Sequence, residues 1–342
     1  MFDINDLKIE GFSPNCLMGA TCAIAKYKYD VDNVNKLFFH HSYIYQKGAE
    51  VLYLPQIGGL NVWFSREVPI SKEEFCKRFY NYYGITHYTA DYYDFFKLTN
   101  DLTQLNMQHE PVIVEIDFYY MRNHDYYKKL HEQHVMIVYE VDWERKCFQV
   151  SDAILGFSSI YFDEFKEYFD DVVLNRNRPI HILSIKKDKL EEKVNIQNFI
   201  EDINRSLYNL KDQDKFGLTC LNVFIEDLVN VINIEKEAEA LIIPGSWAFM
   251  CDSMNCMKFI EEFEKDYPEY KLHVLNEIRK DFTQLYRMWF SFSMGIKEIK
   301  INHKGFENNL KKICEIEKPL ITKLERLSYE LELLSFYRES EV

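Results

Sequence analysis

Residues His134–Asp152 read HVMIVYEVDWERKCFQVSD. Two runs rich in β-branched and aromatic residues, His134–Val141 and Cys147–Asp152, flank the polar connection Asp142-Trp143-Glu144-Arg145-Lys146. That pattern predicts a β-hairpin. Closing it on the connection sets Val141 opposite Lys146 and, within one residue of register, His134 opposite Asp152. Cross-strand neighbours on one sheet face have Cβ atoms about 5 Å apart. A carboxylate there accepts the imidazole Nδ1–H, fixes the tautomer and leaves Nε2 as a base.

Working outward, Val112–Asp117 (after Pro111), Ser158–Phe162 and Ile180–Lys186 read as further strands. Leu17, Ala20, Ile24 and Tyr27 lie near one helical face behind Ser13-Pro14-Asn15, which predicts a helix starting near Cys16. Ser71 and Glu74 have capping-box spacing for a helix through Phe75, Phe79 and Tyr83, with Gly84 to end it. An antiparallel sheet against N-terminal helices is an α+β arrangement. After the lysine-rich Lys186–Lys193 the period changes. Ile196, Phe199, Ile200, Ile203, Leu207 and Leu210 form one amphipathic stripe, and Leu320, Leu324, Leu327, Leu331 and Leu334 another. These features predict two domains, 1–190 and 191–342, the second a helical bundle.

The net charge of −14 argues against a general nucleic-acid binder, because a phosphate backbone would be repelled. Lys186, Lys187 and Lys189, and Arg176 with Arg178, are short basic exceptions. Met1–Glu10 is polar and acidic rather than a secretory leader, and the sequence offers no apolar run of membrane-spanning length. The eight cysteines are spread thinly and form no CxxC pair, which disfavours a zinc ribbon or a dithiol centre. The expectation is a cytoplasmic protein with reduced thiols and no membrane partner.

Against this background Cys16 is a candidate nucleophile. A cysteine at a helix start beside an imidazole is the arrangement that favours a thiolate. Cys16, His134 and Asp152 also follow the papain order of nucleophile, base and orienting group. The plainer readings stand beside it. A buried cysteine is ordinarily a small hydrophobe, His134 a satisfied sheet residue and Asp152 a turn starter. Cys22 is a rival thiol, but it lies deeper in the helix, where the dipole effect has faded. Cys251 and Cys256 read as packing or surface thiols. His124, His131 and His134, with Asp125 and Glu132, suggest a metal site, but they lack HExxH spacing and precede a strand. His40-His41 reads as surface or packing. The rings of Tyr80, Tyr82, Tyr83, Tyr88, Tyr92, Tyr93, Phe95 and Phe96 suit either core or the wall of an apolar pocket.

Asn15-Cys16-Leu17, the stretch from Pro111 to Tyr120, the stretch from His134 to Asp142, and Val150-Ser151-Asp152 follow one another in a known order. Over roughly residues 10–185 the chain resembles the butirosin biosynthesis protein H N-terminal-like domains. Those domains are similar to bacteriocin-processing cysteine peptidases, a branch of the papain-like fold. The helical remainder is similar to the C-terminal extension that often follows them. The resemblance implies a papain-like cysteine-protease fold with a C-terminal helical bundle domain. It implies an acyltransferase or amide synthetase of natural-product biosynthesis. The acyl donor is a carrier-protein thioester, the acceptor a small amine, and no cofactor is bound beyond the phosphopantetheine on the partner carrier protein. By position it makes Cys16 the nucleophile, His134 the base and Asp152 the third member, with Asp117 and Tyr119 architectural. The alternative is a cysteine peptidase or amidase with the same residues. One departure concerns the oxyanion hole: Lys8-Ile9-Glu10-Gly11-Phe12 lacks the Gln that papain-like enzymes carry before the cysteine. The Cys16 backbone N–H, and Asn15 beside it, are what the sequence offers there.

Overall fold

A computed structural model describes residues 3–9, 16–30, 39, 41, 43–47, 62–65, 72–129, 131, 133–188, 195–211, 217–234, 246–270, 272–295 and 303–339. The elements in chain order begin α1 (Cys16–Tyr29), β1 (Ile44–Lys47), β2 (Val62–Ser65), α2 (Lys72–Tyr83), β3 (Ile85–Tyr92) and α3 (Phe95–Met107). Next come β4 (Val112–Asp117), β5 (Gln133–Asp142), β6 (Cys147–Asp152), β7 (Gly156–Tyr161), α4 (Phe162–Asp170) and β8 (Ile180–Lys187). The helices α5 (Ile196–Lys211), α6 (Leu218–Ile234), α7 (Ser246–Asp266), α8 (His273–Gly295) and α9 (His303–Glu339) follow. The class is α+β, with one six-stranded sheet of order β3-β8-β4-β5-β6-β7 in which every neighbouring pair is antiparallel. Among the described residues no helix is long and apolar enough to cross a membrane.

The chain divides into two compact units, one of residues 1–34 and 83–190, the other of 35–82 and 191–342. In the first, α1 lies against β4, β5 and β8, while α3 and α4 pack on the sheet through Leu98, Leu102, Phe165 and Phe169. Strand alternation serves both sides: Val112, Val114 and Ile116 of β4 join the α3–α4 core, and Ile113 between them is also fully buried. The middle of α1, Met18 to Ala25, is buried all round rather than along the single face read from Leu17, Ala20, Ile24 and Tyr27. Small residues, Gly19, Ala20, Ala23 and Ala25, let the helix sit that deep.

In the second unit the stripe from Ile196 to Leu210 is buried, as are Leu320, Leu324, Leu327 and Leu331. Here the contact division departs from a single boundary near residue 190. The segment 35–82 counts with the helices, and its described residues Phe39, Tyr43, Phe79 and Tyr82 are buried. Phe39 meets Phe199, Phe259 and Phe282 edge-on, at ring-centroid distances of 5.4, 6.0 and 5.8 Å. Tyr82 donates to Asp202 at 2.8 Å. Ser71 lies outside the described residues, but the helix it was read to open is present, and Gly84 ends it at φ 63°, a left-handed position that suits glycine.

Candidate functional site

His134 stands near the start of β5 and Asp152 at the end of β6. The hairpin register differs from the sequence reading. Asp142 pairs with Cys147, a bulge falls between Val138 and Glu140, and Ile137 faces Ser151. The same register sets Asp152 level with Met136, so His134 is its diagonal neighbour on one face rather than its direct partner. The ladder closes on Asp142 and Cys147 instead of Val141 and Lys146, and the bulge recovers only part of that slide. Diagonal neighbours are roughly 7–8 Å apart at Cα, within reach of an imidazole and a carboxylate.

The two side chains do meet: His134 Nε2 hydrogen-bonds Asp152 Oδ2. The nitrogen is the opposite of the expected one. Nε2 faces the carboxylate, which leaves Nδ1 for the other partner. The thiol of Cys16 lies close enough to the His134 side chain to act on its pKa. Cys16 is the first residue of α1 and is partly exposed. Burial works against the charged imidazole, but the hydrogen bond to Asp152 and the nearby Cys16 thiol and Asp152 carboxylate outweigh it, and the His134 pKa is raised to about 9. Burial by itself would raise the Asp152 carboxyl. His134 and the backbone N–H groups of Leu155 and Ile154 hold it below the ordinary carboxylate value. Asp152 Oδ1 accepts those two N–H groups at 2.7 and 2.8 Å. Asp152 is therefore both the turn starter and the imidazole's partner.

One wall of the site was not read from the sequence. Phe118 stacks on the His134 ring at 4.3 Å, and His124 stacks on Phe118 at 3.9 Å. The signal for Phe118 was available: Ile116 pairs with His134 across β4 and β5, so the residues just past β4 must pass the imidazole. His124 had no such signal. It sits in the connection between β4 and β5, which is pinned at several points. Asp117 Oδ1 accepts Tyr119 N at 3.0 Å, and Glu164, which also caps α4 by accepting Tyr161 N, takes Arg122 N at 2.9 Å. His124 Nδ1 accepts Tyr126 N at 3.2 Å, and burial holds its pKa below the ordinary histidine value.

The three histidines read as a metal set are divided among other partners. His134 goes to Asp152, His131 Nδ1 to Asp117 Oδ2 at 2.9 Å, and His124 to Tyr126 N. Among the described residues no group of three His, Cys, Asp or Glu could hold a metal ion. Cys22 and Cys256 are buried in helices, and His41 is buried as well. Cys251 side-chain placement, Asn15 and the Glu10-Gly11-Phe12 stretch lie outside the described residues. The aromatic group splits: Tyr82, Tyr83 and Tyr92 are core, whereas Tyr80, Tyr88, Tyr93 and Phe96 are exposed.

A thiol at a helix start, an imidazole that keeps its proton well above neutrality and a buried carboxylate make a set able to carry an acyl group as a thioester. Scanned against family models the sequence matches none, and a search of curated proteins also returns no match.

Proposed function

We propose that this chain is a cysteine acyltransferase that forms amide bonds on a papain-like scaffold, with Cys16 as nucleophile, His134 as acid and base, and Asp152 as the orienting carboxylate. The observation that supports this reading is the hydrogen bond of His134 to the buried Asp152 carboxylate, with Cys16, the first residue of α1, near enough to the same imidazole to act on its pKa. The donor is an acyl thioester on the phosphopantetheine of a carrier protein, and the acceptor is a small amine. The resemblance to the butirosin-type domains supplies those two classes. The setting is cytoplasmic, natural-product biosynthesis, with the helical second unit as the family's C-terminal bundle.

The chemistry follows from the three residues. The Cys16 thiolate attacks the thioester carbonyl, and the bond to the carrier sulfur breaks. His134, as imidazolium, gives its proton to the leaving thiolate. The amine then attacks the Cys16 thioester, His134 takes the amine proton, and the amide departs as Cys16 returns to thiolate. Thioester exchange is nearly isoenergetic and amide formation is downhill, so no nucleotide is consumed. Asp152 keeps Nε2 engaged throughout, which leaves Nδ1 to exchange the proton.

Intact-mass measurement after incubation with an acyl-carrier thioester tests the reading. The expected outcome is an acyl adduct on the chain, lost in Cys16→Ala and kept in Cys22→Ala, and discharged as amide when an amine is added. Discharge as free acid, with no amide at any amine concentration, identifies an amidase or peptidase instead. Unchanged turnover by Cys16→Ala overturns the nucleophile.

A further inference from the structure

The end of β5 remote from His134 borders a cleft of about 380 Å³ within the first unit. Tyr139 lies five residues along the strand from His134, so the cleft is roughly 17 Å from the imidazole. Its size is at the small end of the range for ligand pockets. Ile4, Leu7 and Met107 give it apolar wall, and Ile4 and Met107 are strongly exposed for residues of their type. Tyr27 and Tyr139 supply aromatic rings and hydroxyls, and Glu140 a carboxylate.

The decisive residue is Asn106, on the last turn of α3. Both polar atoms of its side chain, Nδ2 and Oδ1, are buried and make no hydrogen bond among the described residues. A role in closing the helix does not account for them. The backbone ends α3 by itself: His109, at φ 58°, donates to the Asn106 carbonyl at 2.9 Å, and Glu110 donates to the Leu105 carbonyl at 3.0 Å. A buried amide with neither end bonded is unfavourable, and a partner offering one donor and one acceptor in a plane satisfies both ends together. Such an edge belongs to a carboxamide and to the amino and ring-nitrogen edge of adenine. Tyrosine rings beside it suit a flat molecule, and the Glu140 carboxylate disfavours an anion.

We propose that this cleft binds a small uncharged molecule through the planar donor–acceptor edge of an amide-like group, with Asn106 as its hydrogen-bonding partner. The site is separate from Cys16 and does not depend on the acyl-transfer reading.

Titration calorimetry of the full chain with nicotinamide and with adenosine tests it, with benzoate as the anionic control. At least one of the two carriers binds saturably and benzoate does not. Asn106→Leu and Asn106→Asp each weaken that binding roughly tenfold or more, while circular dichroism and the thermal midpoint show a folded chain. Cys16→Ala binds as the unaltered protein does. Binding of nicotinamide alone assigns a carboxamide ligand, and of adenosine alone a nucleobase edge. If Asn106→Leu does not fold, Asn106→Asp decides. The proposal is overturned if neither carrier binds at millimolar concentration, or if binding survives substitution of Asn106.

Discussion

Each unit of the chain holds a histidine–carboxylate pair beside a cysteine, and the two differ in what surrounds them. In the first unit His134 hydrogen-bonds Asp152, and the Cys16 thiol lies near enough to act on the same imidazole. In the second, His41 Nε2 meets both oxygens of Glu317, at 3.0 and 2.8 Å, Tyr43 donates to the same carboxylate, and the His41 backbone N–H donates to Ser206 at 3.1 Å. Only 3% of the His41 side chain and none of that of Glu317 is exposed, against 10% for His134. Cys314 lies near Glu317, but the sense of the interaction is reversed. Burial and the Glu317 charge push its pKa up to about 11, and its thiol donates to Asn222 at 3.3 Å. A carboxylate next to a thiol suppresses the thiolate, while an imidazole held protonated by a carboxylate supports it. The second arrangement clamps aromatic structure; the first leaves a sulfur able to react. A histidine–carboxylate pair is thus no mark of a reactive site until its third neighbour is known.

Thiol labelling is the sharpest way to break this contrast. With a pKa of about 11, Cys314 carries roughly one thiolate in ten thousand molecules at pH 7. Iodoacetamide followed by peptide mapping should therefore modify Cys16 orders of magnitude faster at neutral pH, with Cys314 catching up only above pH ~10. Faster labelling of Cys314 than of Cys16 at pH 7 would remove the distinction between the two sites.

Titration of His134 by NMR gives the next largest effect. Its pKa is raised above the ordinary histidine value, so its charged form stabilises the folded state. That contribution, a few kcal/mol in scale, is complete below about pH 6.5 and is lost as pH rises through about 9. Asp152→Asn keeps an acceptor for Nε2–H but removes the charge. The midpoint should then fall towards the ordinary value, the alkaline loss of stability should shrink, and Cys16 labelling should slow. A midpoint unchanged by Asp152→Asn would mean that the hydrogen bond to Asp152 does not govern the imidazole.

Much of the first unit was legible because strand periodicity is local. Val112–Asp117 and Cys147–Asp152 are observed with the limits the sequence implied. The site was legible only as a pair of strands, because register depends on the turn. The ladder closes on Asp142 and Cys147 rather than on Val141 and Lys146, and the bulge takes back only part of that slide, which leaves His134 a diagonal rather than a direct neighbour of Asp152. The facing nitrogen was not legible, since a tautomer and a ring orientation depend on what the other nitrogen meets. β3 is not legible in the sequence because its polar residues, Thr86, His87, Thr89 and Asp91, dilute the apolar signal of an edge strand. The placement of 35–82 escaped notice too, since the partners of Phe39 lie more than a hundred residues away in sequence. His41 and Glu317 are likewise 276 positions apart, a separation that periodicity cannot bridge.

The smallest expected effect belongs to Phe118, and its sign is informative. The ring is almost fully buried and lies flat between His124 and His134. Stacking of this kind contributes about 1 kcal/mol beyond burial, a factor of roughly five in the population of one imidazole orientation. Phe118→Leu should therefore slow Cys16 labelling only a few-fold and leave the fold intact. The effect on the His134 midpoint separates two roles. Burial opposes the charged imidazole, so if Phe118 acts chiefly by excluding water, its loss relieves that penalty and the midpoint moves up. If the ring chiefly presses His134 onto Asp152, the hydrogen bond weakens and the midpoint moves down, as in Asp152→Asn. The Asp152 carboxylate is independently anchored by the N–H groups of Ile154 and Leu155, and the imidazole sits on a paired strand. With both partners fixed by backbone, little is left for Phe118 to press, and the midpoint should rise.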